Sequence, residues 1–159
     1  MAMILPSNFS CVVMDANIMI ALCAKEPSRF VALTAEVEGY AQTGSLFYAP
    51  NIIVGESLYA LRRKLTDGVL SATEHALSVQ SLRVRMTAIL PPPGGEASLV
   101  LRADQIRAGY GYSRSADALY IALAEELSQT YTTRMLTFDQ GLPKQAAHHA
   151  PHVNVHLLT

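Results

Sequence analysis

Cys11-Val12-Val13-Met14-Asp15-Ala16-Asn17 is a short apolar run that stops at a carboxylate. The run Cys11 to Met14, too short for a helix and rich in β-formers, predicts a buried strand. Around it, similar short runs alternate with longer stretches of helical periodicity. Helices are expected over Asn17 to Ala24 and Ser28 to Thr43, with Pro27 at a helix start and Gly44 past the end. Leu46 to Ala49 predicts the second strand, followed by a helix from Pro50-Asn51 to Thr66 that Asp67-Gly68 ends. Ser71-Ala72-Thr73-Glu74 has capping-box spacing and opens a helix to Arg85. Thr87 to Leu90 predicts the third strand, and Pro91 to Gly95 a stiff turn into a helix over Glu96 to Ala108. Gly109-Tyr110-Gly111-Tyr112 breaks that helix, and a strongly apolar one follows over Ser115 to Leu127. Arg134 to Thr137, a short helix after Asp139, and Val153 to Leu157 complete the chain. Strands separated by helices need parallel crossovers, so the expected fold is α/β, a three-layer α/β/α sandwich on a parallel five-stranded sheet.

Composition narrows the function classes. At 159 residues the chain is one domain of ordinary size, long enough to bury a core without disulfides or a structural metal. Hydrophobic residues make up 50% and charged residues 16%, against a usual charged share of about 25%, which excludes disorder. Low charge with a mean hydropathy of +0.22 implies apolar surface beyond one small core, and hence a partner face. The net charge of −1 lacks the basic excess of a dedicated nucleic-acid binder. Cys11 and Cys23 form no CxxC pair and fit a reducing compartment, so a cytoplasmic location is expected. Met3 to Ala24 is apolar but has no basic n-region and carries Asp15 and Asn17, which argues against a signal peptide or membrane span.

Dinucleotide, P-loop, serine-hydrolase and zincin readings lack their motifs. His148, His149, His152 and His156 crowd the C-terminus, where a solvated tail explains them more simply than zinc. The acids carry more information. Asp15 and Asp139 each end a strand, where ligands bind in open α/β sheets and where an Asp also caps the following helix. Glu56 has Ile52, Ile53, Tyr59 and Ala60 as its helical neighbours, and Asp117 has Tyr120 and Ile121. A carboxylate on such a face must be paired, protonated or bound to a cation, although Asp117 also suits a helix first turn. If the four converge, their repulsion calls for a cation, and an oxygen-only set suits Mg²⁺ or Mn²⁺. One or two such ions support phosphodiester hydrolysis.

The segments Val12 to Asn17, Glu56 to Arg63, Ser115 to Glu125 and Leu136 to Leu142, in this order and spacing, resemble the motifs of the PIN-domain family. The similarity runs from Cys11 to Leu157, so residues 1–159 are expected as a single PIN-like domain with residues 1–10 as an N-terminal extension. Size and layout resemble the VapC-type toxins of type II toxin–antitoxin systems. The resemblance implies sheet order 3-2-1-4-5 and a Mg²⁺- or Mn²⁺-dependent ribonuclease, with one or two ions. Carried over by position, Asp15, Glu56, Asp117 and Asp139 form the acidic quartet. Asp15 and Asp117 would hold the principal metal, Asp139 would support a second, and Glu56 would act partly through water. Asn17 and Thr137 match polar positions that orient the acids. Two departures, a longer Ser128 to Arg134 link and the N-terminal extension, leave these motif residues in place.

Arg63, two turns beyond Glu56, and Arg114, just before the Asp117 helix, are the expected RNA contacts among otherwise scattered basic residues. With the quartet set aside, nine acids face 12 basic residues, leaving a modestly basic surface. The resemblance also implies a homodimer and a cognate antitoxin bound by the helices. A catalytically idle PIN-like module that binds RNA or protein is the alternative. An aspartyl-phosphate enzyme fits poorly, because Asn17 stands where a haloacid-dehalogenase pattern needs an acid.

Overall fold

The structure is a computed structural model and describes residues 8–109 and 116–159. Among the described residues there are five strands: β1 (Cys11–Met14), β2 (Leu46–Tyr48), β3 (Ile89–Leu90), β4 (Thr133–Thr137) and β5 (Asn154–Leu157). Helices α1 (Ala16–Cys23) and α2 (Phe30–Gln42) follow β1, and α3 (Ile52–Thr66) and α4 (Ala72–Met86) follow β2. Then α5 (Glu96–Gly109) and α6 (Asp117–Ser128) join β3 to β4, and α7 (Gly141–His149) joins β4 to β5. The strands form one parallel sheet in the order β3-β2-β1-β4-β5, as the resemblance implied.

That order has a consequence for the site. The chain builds outward from β1 to β2 and β3, then jumps back to place β4 on the other side of β1. Right-handed crossovers therefore send α1–α4 to one face and α5–α7 to the other, and the helices pack within those two groups. The crevice where the direction reverses lies at the carboxyl ends of β1 and β4.

The central strands are buried on both faces, with Val12, Val13, Met135 and Leu136 fully covered. On one side Ile18, Met19 and Leu22 of α1 press onto them, and on the other Tyr120, Ile121 and Leu123 of α6. Cys11 and Cys23 are free and buried. Among the described residues, no helix is long and apolar enough to cross a membrane.

Several boundaries differ from expectation for local reasons. Pro27 does not start a helix; α2 begins at Phe30, after a turn closed by Arg29 and Phe30 amides on the Glu26 carbonyl. Thr87 and Ala88 are absent from β3 because their amides finish α4, bonding to Val84 and Arg85 carbonyls. The capping box is present as read: the Glu74 amide donates to Ser71 Oγ at 3.1 Å and the Ser71 amide to Glu74 Oε2 at 2.7 Å. Gly68, at φ 73°, supplies the left-handed residue that ends the α3 turn. The expected break at residues 110–112 lies outside the described residues.

The apolar surplus divides unevenly. Most of the apolar residues of α1 are core, whereas α3 leaves Ile52, Leu58 and Tyr59 exposed. Leu123→Ala, in the fully buried α6 seam, should cost roughly 2–5 kcal/mol of unfolding free energy. Leu101→Ala, on the exposed side of α5, should change it by about 0.5 kcal/mol or less. Urea unfolding of both variants checks the layer assignment, and equal losses would contradict it.

Candidate functional site

Asp15 is the pivot of the crevice. Its amide extends the sheet by bonding to the Leu136 carbonyl at 3.1 Å, which fixes the backbone before the chain turns into α1. Its side chain caps that helix, Oδ1 accepting from the Ala16 amide at 2.7 Å. Oδ2 accepts from the Thr137 hydroxyl at 2.6 Å and from Asn17 Nδ2 at 3.1 Å. A carboxylate offers about four acceptor positions. The protein fills three, and the fourth, on Oδ1, remains for the cleft.

Asn17 and Thr137 knit the two strand ends together. Asn17 Nδ2 also donates to Thr137 Oγ1 at 3.2 Å, while Asn17 Oδ1 accepts from the Phe138 amide at 3.2 Å. Thr137 Oγ1 in turn accepts from the Asp139 amide at 3.0 Å, so its donor and both acceptor positions are used. Asp139 Oδ1 accepts from the Gly141 amide at 2.7 Å at the entrance to α7. The capping role read for each strand-end acid and its place in the crevice therefore coexist.

Glu56 is half-buried rather than core-facing, because the apolar stripe of α3 wraps onto the surface, with Tyr59 70% exposed. Its anchor comes from the opposite layer, where the fully buried Tyr120 of α6 donates its hydroxyl to Glu56 Oε1 at 2.7 Å. That bond spans the crevice and leaves Oε2 for the cleft. Tyr120 was visible in the sequence only as an apolar neighbour of Asp117. A tyrosine one turn from an acid, within the apolar run Ala118 to Ala124, was the available signal.

Asp15, Glu56, Asp117 and Asp139 line one open cleft of about 300 Å³, with Ala16, Asn17, Ile20, Tyr59 and Ala60. Arg63 is not in its wall; it is exposed and reaches one turn onward to Asp67 at 3.6 Å. Arg114 lies outside the described residues. Nor do the C-terminal histidines gather: His156 faces Glu36 at 3.5 Å, while His148 and His149 pack ring to ring at 5.9 Å.

Burial raises the Asp15 pKa from 3.8 to about 6, against the Thr137 hydrogen bond, with Asp117 and then Glu56 adding repulsion. Burial also raises Glu56, opposed by the Tyr120 hydrogen bond and reinforced by Asp117. The Tyr120 phenol is driven strongly upward by burial and by its bond to Glu56, so it stays a donor. Oxygen-only donors, mutual repulsion and an open acceptor position on Asp15 fit a hard divalent cation. Among the described residues, no three or more His, Cys, Asp or Glu side chains stand close enough together, as they lie, to hold a metal ion. The ligand chemistry thus lies along the walls of the cleft rather than in a finished cage.

The Asp15 shift has a sign that stability measurements can read. A carboxyl whose folded pKa exceeds its unfolded value contributes stability below about pH 4 and loses it as pH rises through about 6. In chelator, Asp15→Asn should therefore gain on the parent protein between pH 4 and pH 7.5, by up to about 3 kcal/mol. Comparing the two pH values removes the fixed cost of disturbed hydrogen bonds. A difference independent of pH would contradict the buried, repelled carboxylate.

Comparison with known proteins bears on the fold and the family. No curated protein matches the chain. Among solved structures it is similar to the crystal structure of VapBC2 from Rickettsia felis bound to a DNA fragment from their promoter, with a TM-score of 0.63. The match has 12% sequence identity and covers 92% of this chain and 98% of that one, a likeness of fold. A family model described as PIN domain matches residues 12–147. That span takes in both sides of the crevice and every acid lining it, and the chain belongs to the PIN-domain family.

Proposed function

We propose that this protein is a Mg²⁺- or Mn²⁺-dependent endoribonuclease. The observation that carries the reading is the convergence of Asp15, Glu56, Asp117 and Asp139 on one cleft in a PIN-family chain. Asp15 and Asp117 would hold the principal ion, Asp139 would support a second, and Glu56 would act partly through water. When bound, the one or two ions would supply charge neutralisation and activate water for attack at phosphorus.

The chain's own residues have separate tasks. Thr137 and Asn17 hold the Asp15 carboxylate so that its open acceptor position stays in the cleft. Tyr120 holds Glu56 Oε1 and leaves Oε2 to orient water. Hydrolysis adds water across the phosphodiester, breaking the bond from phosphorus to the 3′ oxygen and giving 5′-phosphate and 3′-hydroxyl ends. The absence, among the described residues, of three or more such side chains close enough to hold a metal ion favours one second reading, an idle module that binds without cleaving.

Similarity of fold to a VapBC2 structure supports a toxin paired with an antitoxin, and the free, buried Cys11 and Cys23 suit a reducing cytoplasm. The exposed apolar residues of α3, Ile52, Leu58 and Tyr59, suit a homodimer face. Sedimentation at micromolar concentration should show a dimer that Leu58→Glu dissociates, and a monomeric parent protein would contradict the dimer.

Cleavage of RNA should require Mg²⁺ or Mn²⁺ and stop in excess EDTA. Asp15→Asn and Asp117→Asn should each lower kcat by about 100-fold or more, because charge stabilisation of this kind is worth several kcal/mol. Tyr120→Phe should lower it by about tenfold, the scale of one lost hydrogen bond to a charged group. Full activity in EDTA would overturn the metal mechanism, and metal-insensitive RNA binding without cleavage would favour the idle module.

A further inference from the structure

Beyond the cleft, two cations share one acid. Glu26 Oε2 accepts from Arg29 Nη1 at 3.3 Å, and Glu26 Oε1 faces Lys64 Nζ at 3.1 Å. The Arg29 and Lys64 side chains are 39% and 27% exposed, against 71% for Arg63. They are sheltered and held in place, unlike an ordinary solvated helix face.

Both are tied to segments that contribute cleft-lining residues. The Arg29 guanidinium lies over the Phe138 ring, 4.1 Å from its centre. Phe138 stands between Thr137 and Asp139, its amide fixed by Asn17. Lys64 lies on α3 four residues beyond the cleft-lining Ala60, hence on the same face and about 6 Å further along the axis. The cluster therefore links the β4 side of the cleft to the α3 side.

Its charge is unbalanced. One carboxylate can neutralise one cation, so Arg29, Lys64 and Glu26 together carry a single positive charge beside a cleft lined with four acids. A clamp joining the α1–α2 turn to α3 needs only one of the two cations. The aromatic stack and the carboxylate pre-pay the ordering of both side chains, which lowers the cost of taking up an anionic ligand. A nucleic-acid strand whose reacting phosphate sat among the acids would have to place further phosphates nearby.

We propose that Arg29 and Lys64 form a subsite for an RNA backbone phosphate flanking the scissile bond, with Glu26 occupying it until the strand arrives. This rests on the ribonuclease reading. No bond is made or broken; the phosphate oxygens replace the Glu26 carboxylate as partners of the two cations.

The test uses the full chain and a labelled single-stranded RNA oligonucleotide with Ca²⁺ in place of Mg²⁺, read by fluorescence anisotropy over a salt series. Arg29→Gln and Lys64→Gln should each weaken binding roughly 3- to 10-fold at low salt and flatten the log–log salt slope by about 0.7. Glu26→Gln frees both cations and should tighten binding, an outcome that a damaged fold does not produce. A purely structural clamp would give lower melting temperatures in all three variants with unchanged affinity, which overturns the subsite. If the parent protein cleaves RNA in Mg²⁺ while the Arg29 and Lys64 variants bind like it, the subsite alone falls. If the parent neither binds nor cleaves RNA, the ribonuclease reading falls with it.

Discussion

The 2.6 Å hydrogen bond from the Thr137 hydroxyl to Asp15 Oδ2 closes the one place where the sheet reverses its order. β1 and β4 are neighbours in space but far apart in sequence, and their helices leave toward opposite faces. Without a tie at their carboxyl ends, the crevice would be a gap over a buried carboxylate. With Asn17 as the second strut, Asp15, Thr137 and the Phe138 amide form one network with no unused donor in it. Glu56 and Tyr120 repeat the arrangement at larger scale, joining α3 of one layer to α6 of the other.

These ties hold a site that works against the fold. Asp15 is only 5% exposed yet faces other acids, and burial with repulsion lifts its pKa to about 6. At neutral pH the metal-free protein keeps a carboxylate charged where ionisation costs more than it does in water. Strain of this kind belongs to binding sites, because a cation that neutralises the cleft returns the lost stability on binding. The proposed nuclease chemistry and the raised pKa of Asp15 and Glu56 thus have one origin.

Much of this was legible in the sequence. Four-residue apolar runs between helical periods gave the parallel α/β architecture, and acids ending such runs marked the sheet's carboxyl edge. Asn17 and Thr137 were named through family resemblance, since nothing in their local pattern says that residues 120 apart meet. Tyr120 escaped because its partner lies on another helix, and periodicity describes one helix at a time. Arg63 was placed by counting turns from Glu56, but Asp67 lies one turn further and offers a nearer partner. Arg29 and Lys64 were out of reach for a related reason: the turn that brings Glu26 between them depends on tertiary packing.

The proposed activity depends on the four carboxylates acting together as the seat of a cation. A crystal soaked in Mn²⁺, with data collected for anomalous scattering, tests this directly. The expected result is a peak in the cleft within coordinating distance of Asp15 and Asp117, absent from Asp15→Asn crystals. Mn²⁺ found only at the C-terminal histidines, or nowhere, would contradict it.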